Sequence, residues 1–147
     1  MRQAFTMIEL IFVITIIGIL SAVAIPKLAA TRTDAKVAAM ANEITSVANE
    51  VASRAVASGV SSDIPSMSKM ATVMINAGRA SYNNNVLEVH MGNVSDCIKL
   101  QIVSDSRDMN LTMSYSNAGS DTACASLQQT VQAAKYPIPL GGKRLAW

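Results

Sequence analysis

The stretch from residue 5 to residue 25, FTMIELIFVITIIGILSAVAI, decides how the rest of the chain is interpreted. Glu9 is its only charged residue, and after Leu10 the only side chains with hydroxyls are Thr15 and Ser21. As a helix this stretch spans roughly 30 Å, which is enough to cross the hydrocarbon core of a bilayer. The two hydroxyls can bond back to helix carbonyls, so the segment satisfies its polar groups in lipid. The stretch therefore predicts a membrane-spanning helix.

The composition limits the class of protein. The chain has 147 residues, of which 50% are hydrophobic and 15% are charged, and its formal net charge is +2. This length matches about one compact domain, and so apolar a chain is not a disordered one. The charges are scattered, and Lys143 and Arg144 are the only adjacent basic pair. No electrostatic footprint for nucleic acid follows, and a nucleic-acid partner stays an open question.

A secretory signal peptide is the alternative reading of the same residues. Arg2 would supply its basic region, residues 10–20 its apolar core, and Ala22-Val23-Ala24 a small-x-small site with cleavage after Ala24. Two features favour a helix that is retained. Glu9 lies at the edge of the apolar run, where a secretion signal gains nothing from it, and the helical pattern continues beyond Ala24.

A second, amphipathic half of the helix is predicted beyond Pro26. Apolar residues recur there at spacings of three and four, which draws one stripe along a helix: Val37, Met40, Ile44, Val47 and Val51. Gly59 provides a C-terminal stop. We therefore expect one helix with a membrane half at residues 5–26 and an amphipathic half at residues 27–58. Gly18 and Pro26 are its weak points, where a kink or local melting is expected.

The remaining residues, 59–147, predict a small globular head. Residues 63–78 read as a short helix with a methionine stripe at Met67, Met70 and Met74. Apolar and polar residues then alternate in three segments, which predicts an antiparallel sheet with one apolar face: residues 86–91, 97–103 and 111–115. The stripe of the long helix is the obvious cover for that face. The predicted fold class is α+β, with a long N-terminal helix packed on a small antiparallel sheet.

A last helix is predicted after Ser120 and Asp121, which are favourable N-cap residues. One side of this helix carries apolar residues at helical spacing: Cys124, Leu127, Val131 and Ala134. Pro137 and Pro139 end it, and the tail after them is expected to be irregular.

The heptapeptide AFTMIEL at residues 4–10, followed by an apolar helix with Gly18 and Pro26, resembles the class III signal of type IV pilins and of pseudopilins. The resemblance covers about the first 35 residues. It implies that a prepilin peptidase removes the leader, residues 1–4, by cutting between Ala4 and Phe5. It also implies that the new amine of Phe5 is N-methylated. The sequence departs from the family at one position, because the residue before the cut is usually glycine and here is Ala4.

The resemblance also implies a function and a set of partners. The family pairs the carboxylate at the position of Glu9 with the α-amine of an adjacent subunit, and a helical homo-oligomer assembles through the apolar helices. The chain would be a filament subunit, either a type IV pilin or a pseudopilin of a type II secretion or DNA-uptake system, with a pilin-like fold. Its partners would be the peptidase and an assembly platform. It would lie in the inner membrane as a single-pass protein before assembly, and in the periplasm or at the cell surface afterwards.

Two other functions remain alternatives at this point. One is a soluble exported binding domain released after Ala24, and the other is an anchored single-span protein that never polymerises. The charges do not decide the topology, because Lys27, Arg32 and Lys36 follow the apolar run and only Arg2 precedes it. That distribution does not support the cytoplasmic N-terminus that the resemblance implies.

Cys97 and Cys124 are the only cysteines. In an extracytoplasmic head they should form a disulfide, whereas a reducing compartment would leave two thiols. Members of the resembled family commonly carry a disulfide-bounded segment near the C-terminus, and this pair is similar to it. His90 is the only histidine, so neither a metal site nor a catalytic constellation is predicted, and we expect no cofactor and no enzymatic activity. Asp105 and Asp108 are more consistent with a solvated turn than with a calcium site.

Overall fold

The chain has the predicted α+β architecture in a computed structural model that describes residues 5–104, 108–132 and 136–141. Its helices and strands follow one another in the order α1 (Met7–Ser58), α2 (Ile64–Met67), α3 (Lys69–Asn76), β1 (Ala80–Asn83), β2 (Val86–Met91), β3 (Val94–Ser104), β4 (Met109–Tyr115), α4 (Thr122–Thr130) and β5 (Ile138–Pro139). The predicted class is confirmed.

Helix α1 contributes to two compact units, Met1–Ala35 and Lys36–Trp147. In the second unit one face of α1 is part of the hydrophobic core, and every member of the predicted stripe is buried: Val37, Met40, Ile44, Val47 and Val51. Three of these five side chains are fully buried, at 0% exposure. Their spacing of three and four keeps them on one side of the helix, which is why the sequence pattern identified them.

The backbone is helical at both predicted weak points of α1, Gly18 and Pro26. The helix continues without interruption from Met7 to Ser58, so the local melting considered from the sequence is not observed. Proline removes one backbone donor and crowds the carbonyl four residues before it, but these costs do not interrupt α1. A bend within this continuous helix stays a prediction.

The five strands form one antiparallel sheet in sequence order, β1-β2-β3-β4-β5. The three strands predicted from alternation are confirmed as β2, β3 and β4, although β3 begins at Val94, before the predicted residue 97. Their inward residues are buried, as alternation requires: Leu87, Val89, Leu100, Ile102 and Leu111. These side chains share one core with the stripe of α1.

Two strands were not predicted. Strand β1 pairs with β2 across a tight turn in which Asn84 and Asn85 have φ values of 51° and 64°. Asparagine tolerates this left-handed region better than other non-glycine residues, so the Asn-Asn pair suits a two-residue hairpin. Strand β5 has only two residues and pairs with Asn110 and Leu111 of β4. A two-residue strand containing Pro139 has no periodicity that a sequence could reveal.

The single helix predicted at residues 63–78 is wrong in one respect, because Ser68 divides it into α2 and α3. Ser68 is extended (φ −132°, ψ 121°) and 1% exposed, and its hydroxyl accepts a hydrogen bond from the Ala71 N–H. The same hydroxyl donates to the Glu50 carboxylate at 2.8 Å. Serine prefers this capping position over a helix interior, since its hydroxyl competes for backbone groups.

Helix α4 lies against the end of β3 that carries Cys97. The Gln128 side chain donates hydrogen bonds to the carbonyl oxygens of Cys97 (2.9 Å) and Ser116 (2.8 Å). Cys97 and Ile98 are adjacent and both are 0% exposed, so both faces of β3 are covered at that point. The Cys97–Cys124 disulfide joins the strand to the helix, with the two Cα atoms 5.7 Å apart. Of the predicted apolar side, Cys124 and Leu127 are buried within α4, Val131 is buried just beyond it, and Ala134 lies outside the described residues. The predicted end at Pro137 is wrong, because α4 ends at Thr130.

Replacing both cysteines with serine should lower the free energy of unfolding by about 3 to 4 kcal/mol, because 26 residues lie within the loop that the disulfide closes. Urea unfolding of the full chain in detergent, followed by circular dichroism, measures this difference. Reductant should lower the midpoint of the wild type and leave that of the double variant unchanged. Equal midpoints for the two oxidised chains would contradict the prediction.

Gly92 and Gly119 provide a matched pair of substitutions, because their φ values are +62° and +57°. A Cβ at Gly119 meets nothing within 4 Å, whereas one at Gly92 would overlap the Asp121 carboxylate. That carboxylate accepts hydrogen bonds from Asn93 N and Cys124 N and caps α4, so it cannot move without losing both.

Backbone strain alone should cost Gly119→Ala about 1 kcal/mol of stability. Gly92→Ala should cost at least about 1 kcal/mol more, since it also disrupts the cap of α4. Urea unfolding of both variants tests this, and equal losses would show that the Asp121 contact contributes nothing.

Glu50 should make the fold pH-dependent. Its carboxylate accepts a hydrogen bond from Met70 N at 3.0 Å, and this bond, together with the one from Ser68, lowers the pKa of Glu50 below its ordinary value. A lowered folded-state pKa stabilises the fold above the unfolded-state value of about 4.3, and this stability is lost as the pH falls through the folded-state pKa.

Glu50→Gln should therefore reduce the free energy of unfolding by about 1 kcal/mol at neutral pH. The difference between wild type and variant should shrink as the pH falls below the unfolded-state pKa of about 4.3, because the unfolded chain then binds a proton at Glu50 before the folded chain does. Denaturant unfolding at pH 7 and at pH 3 measures both quantities. A difference that does not change with pH would contradict this role.

Candidate functional site

The first turn of α1 contains a reciprocal set of hydrogen bonds between Thr6 and Glu9. The backbone N–H of Thr6 donates to Glu9 Oε2 at 2.9 Å, and the Thr6 hydroxyl donates to the same oxygen at 2.8 Å. In return, the Glu9 N–H donates to Thr6 Oγ1 at 3.3 Å. These bonds form a capping box, in which two side chains satisfy backbone donors that the start of a helix would otherwise leave unpaired.

This arrangement was not predicted, although the sequence carries a signal for it. A Thr-x-x-Glu pattern at residues 6–9, directly before an apolar run, is the signature of a capping box. The capping box assigns a structural role to both residues.

The span Met7–Ile25 is long and apolar enough to cross a membrane, with a mean hydropathy of 2.7. None of it is buried within the described chain. Its large apolar side chains are accordingly exposed: Phe12 is 66% exposed, Ile19 64% and Val23 71%. So much contiguous apolar surface is stable only against lipid or against another protein surface.

The polar groups within this span are satisfied locally. The Thr15 hydroxyl donates to the Ile11 carbonyl oxygen at 2.7 Å, as predicted for a helix in lipid. Glu9 is the only charged residue of the span, and its Oε2 atom has the two donors of Thr6. A charged group in an apolar helix is costly unless it is partnered, so Thr6 reduces the cost of retaining Glu9.

The other predicted site residues are placed as follows. Phe5 is described, and its side chain is 86% exposed, whereas Ala4 lies outside the described residues. Cleavage between them and methylation of Phe5 therefore stay predictions. Gly18 lies within α1, and a Cβ built on it meets no atom within 4 Å.

The chemistry-bearing residues of the head are engaged in structural contacts. Cys97 and Cys124 form the predicted disulfide. His90 is half-buried, and its Nε2 atom lies 3.1 Å from Ser81 Oγ on the neighbouring strand. Within the described ranges, no cluster of three or more His, Cys, Asp or Glu side chains is placed to hold a metal ion. Asp105 lies outside those ranges, so the turn that contains it and Asp108 is described only at Asp108.

Comparison with known proteins identifies the N-terminal segment. Residues 1–25 match the family model described as the prokaryotic N-terminal methylation motif. No curated protein and no solved structure matches the chain. The match covers the start of the chain through the apolar span, where the capping box and Glu9 lie. Residues 1–25 are therefore the class III prepilin signal of type IV pilins and pseudopilins, and they mark the chain as a pilin-like or pseudopilin precursor.

Proposed function

We propose that the chain is a structural subunit of a type IV filament, either a type IV pilin or a pseudopilin of a type II secretion or DNA-uptake system. It acts by polymerising rather than by catalysing a reaction. The observation that carries the proposal is a methylation motif that overlaps an uncovered apolar span, Met7–Ile25, whose single charge, Glu9, lies in the first turn of α1. In a simple membrane anchor that carboxylate would serve only as part of the cap of α1.

The exposed apolar surface supplies the driving force for assembly. Outside the membrane, burial of this surface against neighbouring helices is worth about 25 cal/mol per Å². Inside the membrane this force is absent, because lipid is as apolar as the side chains themselves. Subunits with the exposed span Met7–Ile25 can therefore remain as single-pass proteins in the inner membrane and associate as they leave it.

Glu9 sets the stagger between neighbouring helices in this proposal. A prepilin peptidase cuts between Ala4 and Phe5, and the α-amine of Phe5 becomes a cationic partner for Glu9 of an adjacent subunit. Pairing two opposite charges in a dry interface is favourable only when the geometry is specific, so it selects one register. The assembled homo-oligomer lies in the periplasm or at the cell surface, and an assembly platform in the inner membrane builds it.

Replacing Glu9 with alanine should abolish filaments while leaving the chain in the membrane, because the docking charge and its bonds to Thr6 are lost while the apolar span is unchanged. Electron microscopy of sheared surface and periplasmic fractions from the native cell measures filament abundance, and immunoblots of membranes measure subunit abundance. Asp34→Asn is the matched control, since Asp34 is an exposed carboxylate on the same helix beyond the apolar span. This control should assemble like wild type.

One outcome would contradict the proposed function, and another would contradict only the docking role of Glu9. One is the absence of filaments from cells that produce the wild-type chain together with its processing machinery. The other is a Glu9→Ala chain that assembles as abundantly as the Asp34→Asn control. The second outcome would favour a filament whose register is set without a charge pair.

A further inference from the structure

The capping box assigns Thr6 a role beyond starting a helix. We propose that Thr6 is a positioning residue that holds the Glu9 carboxylate in place for the amine of a neighbouring subunit, an inference that rests on the proposed function. Both Thr6 donors converge on one carboxylate oxygen, Oε2, at 2.9 and 2.8 Å. No described residue donates a hydrogen bond to the other oxygen, Oε1.

The two oxygens of the Glu9 carboxylate can therefore bind different partners. An ionised carboxylate has roughly four lone-pair sites, so two donors on Oε2 leave Oε1 able to accept from an ammonium group. Because Oε2 is already fixed, the Glu9 side chain has little rotamer freedom left to lose when a partner arrives. Fixing a group in its bound conformation beforehand strengthens association by removing this entropic cost.

The same contact serves the subunit before assembly. Glu9 lies within the apolar span, where a charge without partners is strongly disfavoured. Thr6 supplies one backbone and one side-chain donor from the adjacent end of the helix, so the carboxylate is partnered while the subunit is still alone in the membrane. Neither donor has to be released when Oε1 takes up the neighbour's amine.

A purely structural cap makes a different prediction, which allows the two roles to be separated. Serine at position 6 keeps both the cap and the hydroxyl donor. Aspartate is an equally good N-cap, but its carboxylate has no proton to donate to Glu9. Valine has nearly the same shape as threonine and provides neither. A cap role therefore ranks Thr6→Asp with Thr6→Ser, whereas a positioning role ranks it with Thr6→Val.

The test compares these three full-length variants in the native cell, with immunoblots showing that processing and membrane abundance match wild type. We expect Thr6→Ser to assemble like wild type, and both Thr6→Val and Thr6→Asp to reduce filament abundance at least about tenfold, as for loss of a hydrogen bond to a charged group. Thr6→Val or Thr6→Asp assembling like wild type would overturn the inference and leave the proposed function intact. Absence of wild-type filaments would instead overturn both.

A second measurement does not depend on assembly. In the processed wild-type chain in detergent micelles, the amide proton of Thr6 should resonate downfield because it donates to a carboxylate. Glu9→Gln should shift this resonance upfield, and amides from the second turn onward should stay in place. The same Thr6 resonance in both chains would show that the carboxylate is not held by Thr6, whatever the filaments do.

Discussion

A single carboxylate in an otherwise apolar, uncovered helix is the constraint on which the rest of this structure depends. Water disfavours the exposed apolar surface of Met7–Ile25, and lipid disfavours the charge of Glu9. Lipid covers the apolar surface of a solitary chain but leaves the charge costly. The capping box with Thr6 offsets part of this cost within the chain. In the proposed filament, neighbouring copies offset the rest, because they bring apolar surface and a cationic amine together.

In the second unit, Lys36–Trp147, the small sheet obtains its core from other elements of the chain. One face of the sheet is covered by the stripe that begins at Val37, so the same helix that carries the apolar span also completes the core. On the opposite face Cys97 is buried, where α4 is fixed by the disulfide and by Gln128. A domain this small gains substantially from such a cross-link, since its core alone supplies only modest stability.

Periodic features of the fold could be predicted from sequence, and features that depend on single residues could not. The stripe of α1 and the alternation in β2, β3 and β4 repeat over several residues, so each residue reinforces the pattern. The break at Ser68 depends on Glu50, which lies 18 residues away, and no local pattern reports that contact. Strand β1 is too short to show a period, and only the Asn84-Asn85 pair in the sequence indicates the hairpin turn that follows it. The disulfide followed from counting cysteines once an extracytoplasmic location was assumed.

The sequence pointed to Glu9 and Phe5 as site residues, but it did not predict the hydrogen bonds between Thr6 and Glu9. Glu9 and the cut before Phe5 came from the resemblance of residues 4–10 to a prepilin signal, which the methylation motif supports. Thr6, the partner of Glu9 within the chain, was not predicted. Its signal is the Thr-x-x-Glu capping pattern at residues 6–9, which is independent of the family resemblance. The surface that the head offers to other molecules has no comparable signature.

The proposed filament requires that the mature protein keeps the apolar helix and begins with a free α-amine at Phe5. Intact-mass measurement with N-terminal fragmentation of the mature chain, purified from cells, tests this directly. The account predicts a chain that begins with N-methylated Phe5 and retains the whole of α1. A mature chain that begins at Ile25 would contradict it, because that product has lost both Glu9 and the apolar span.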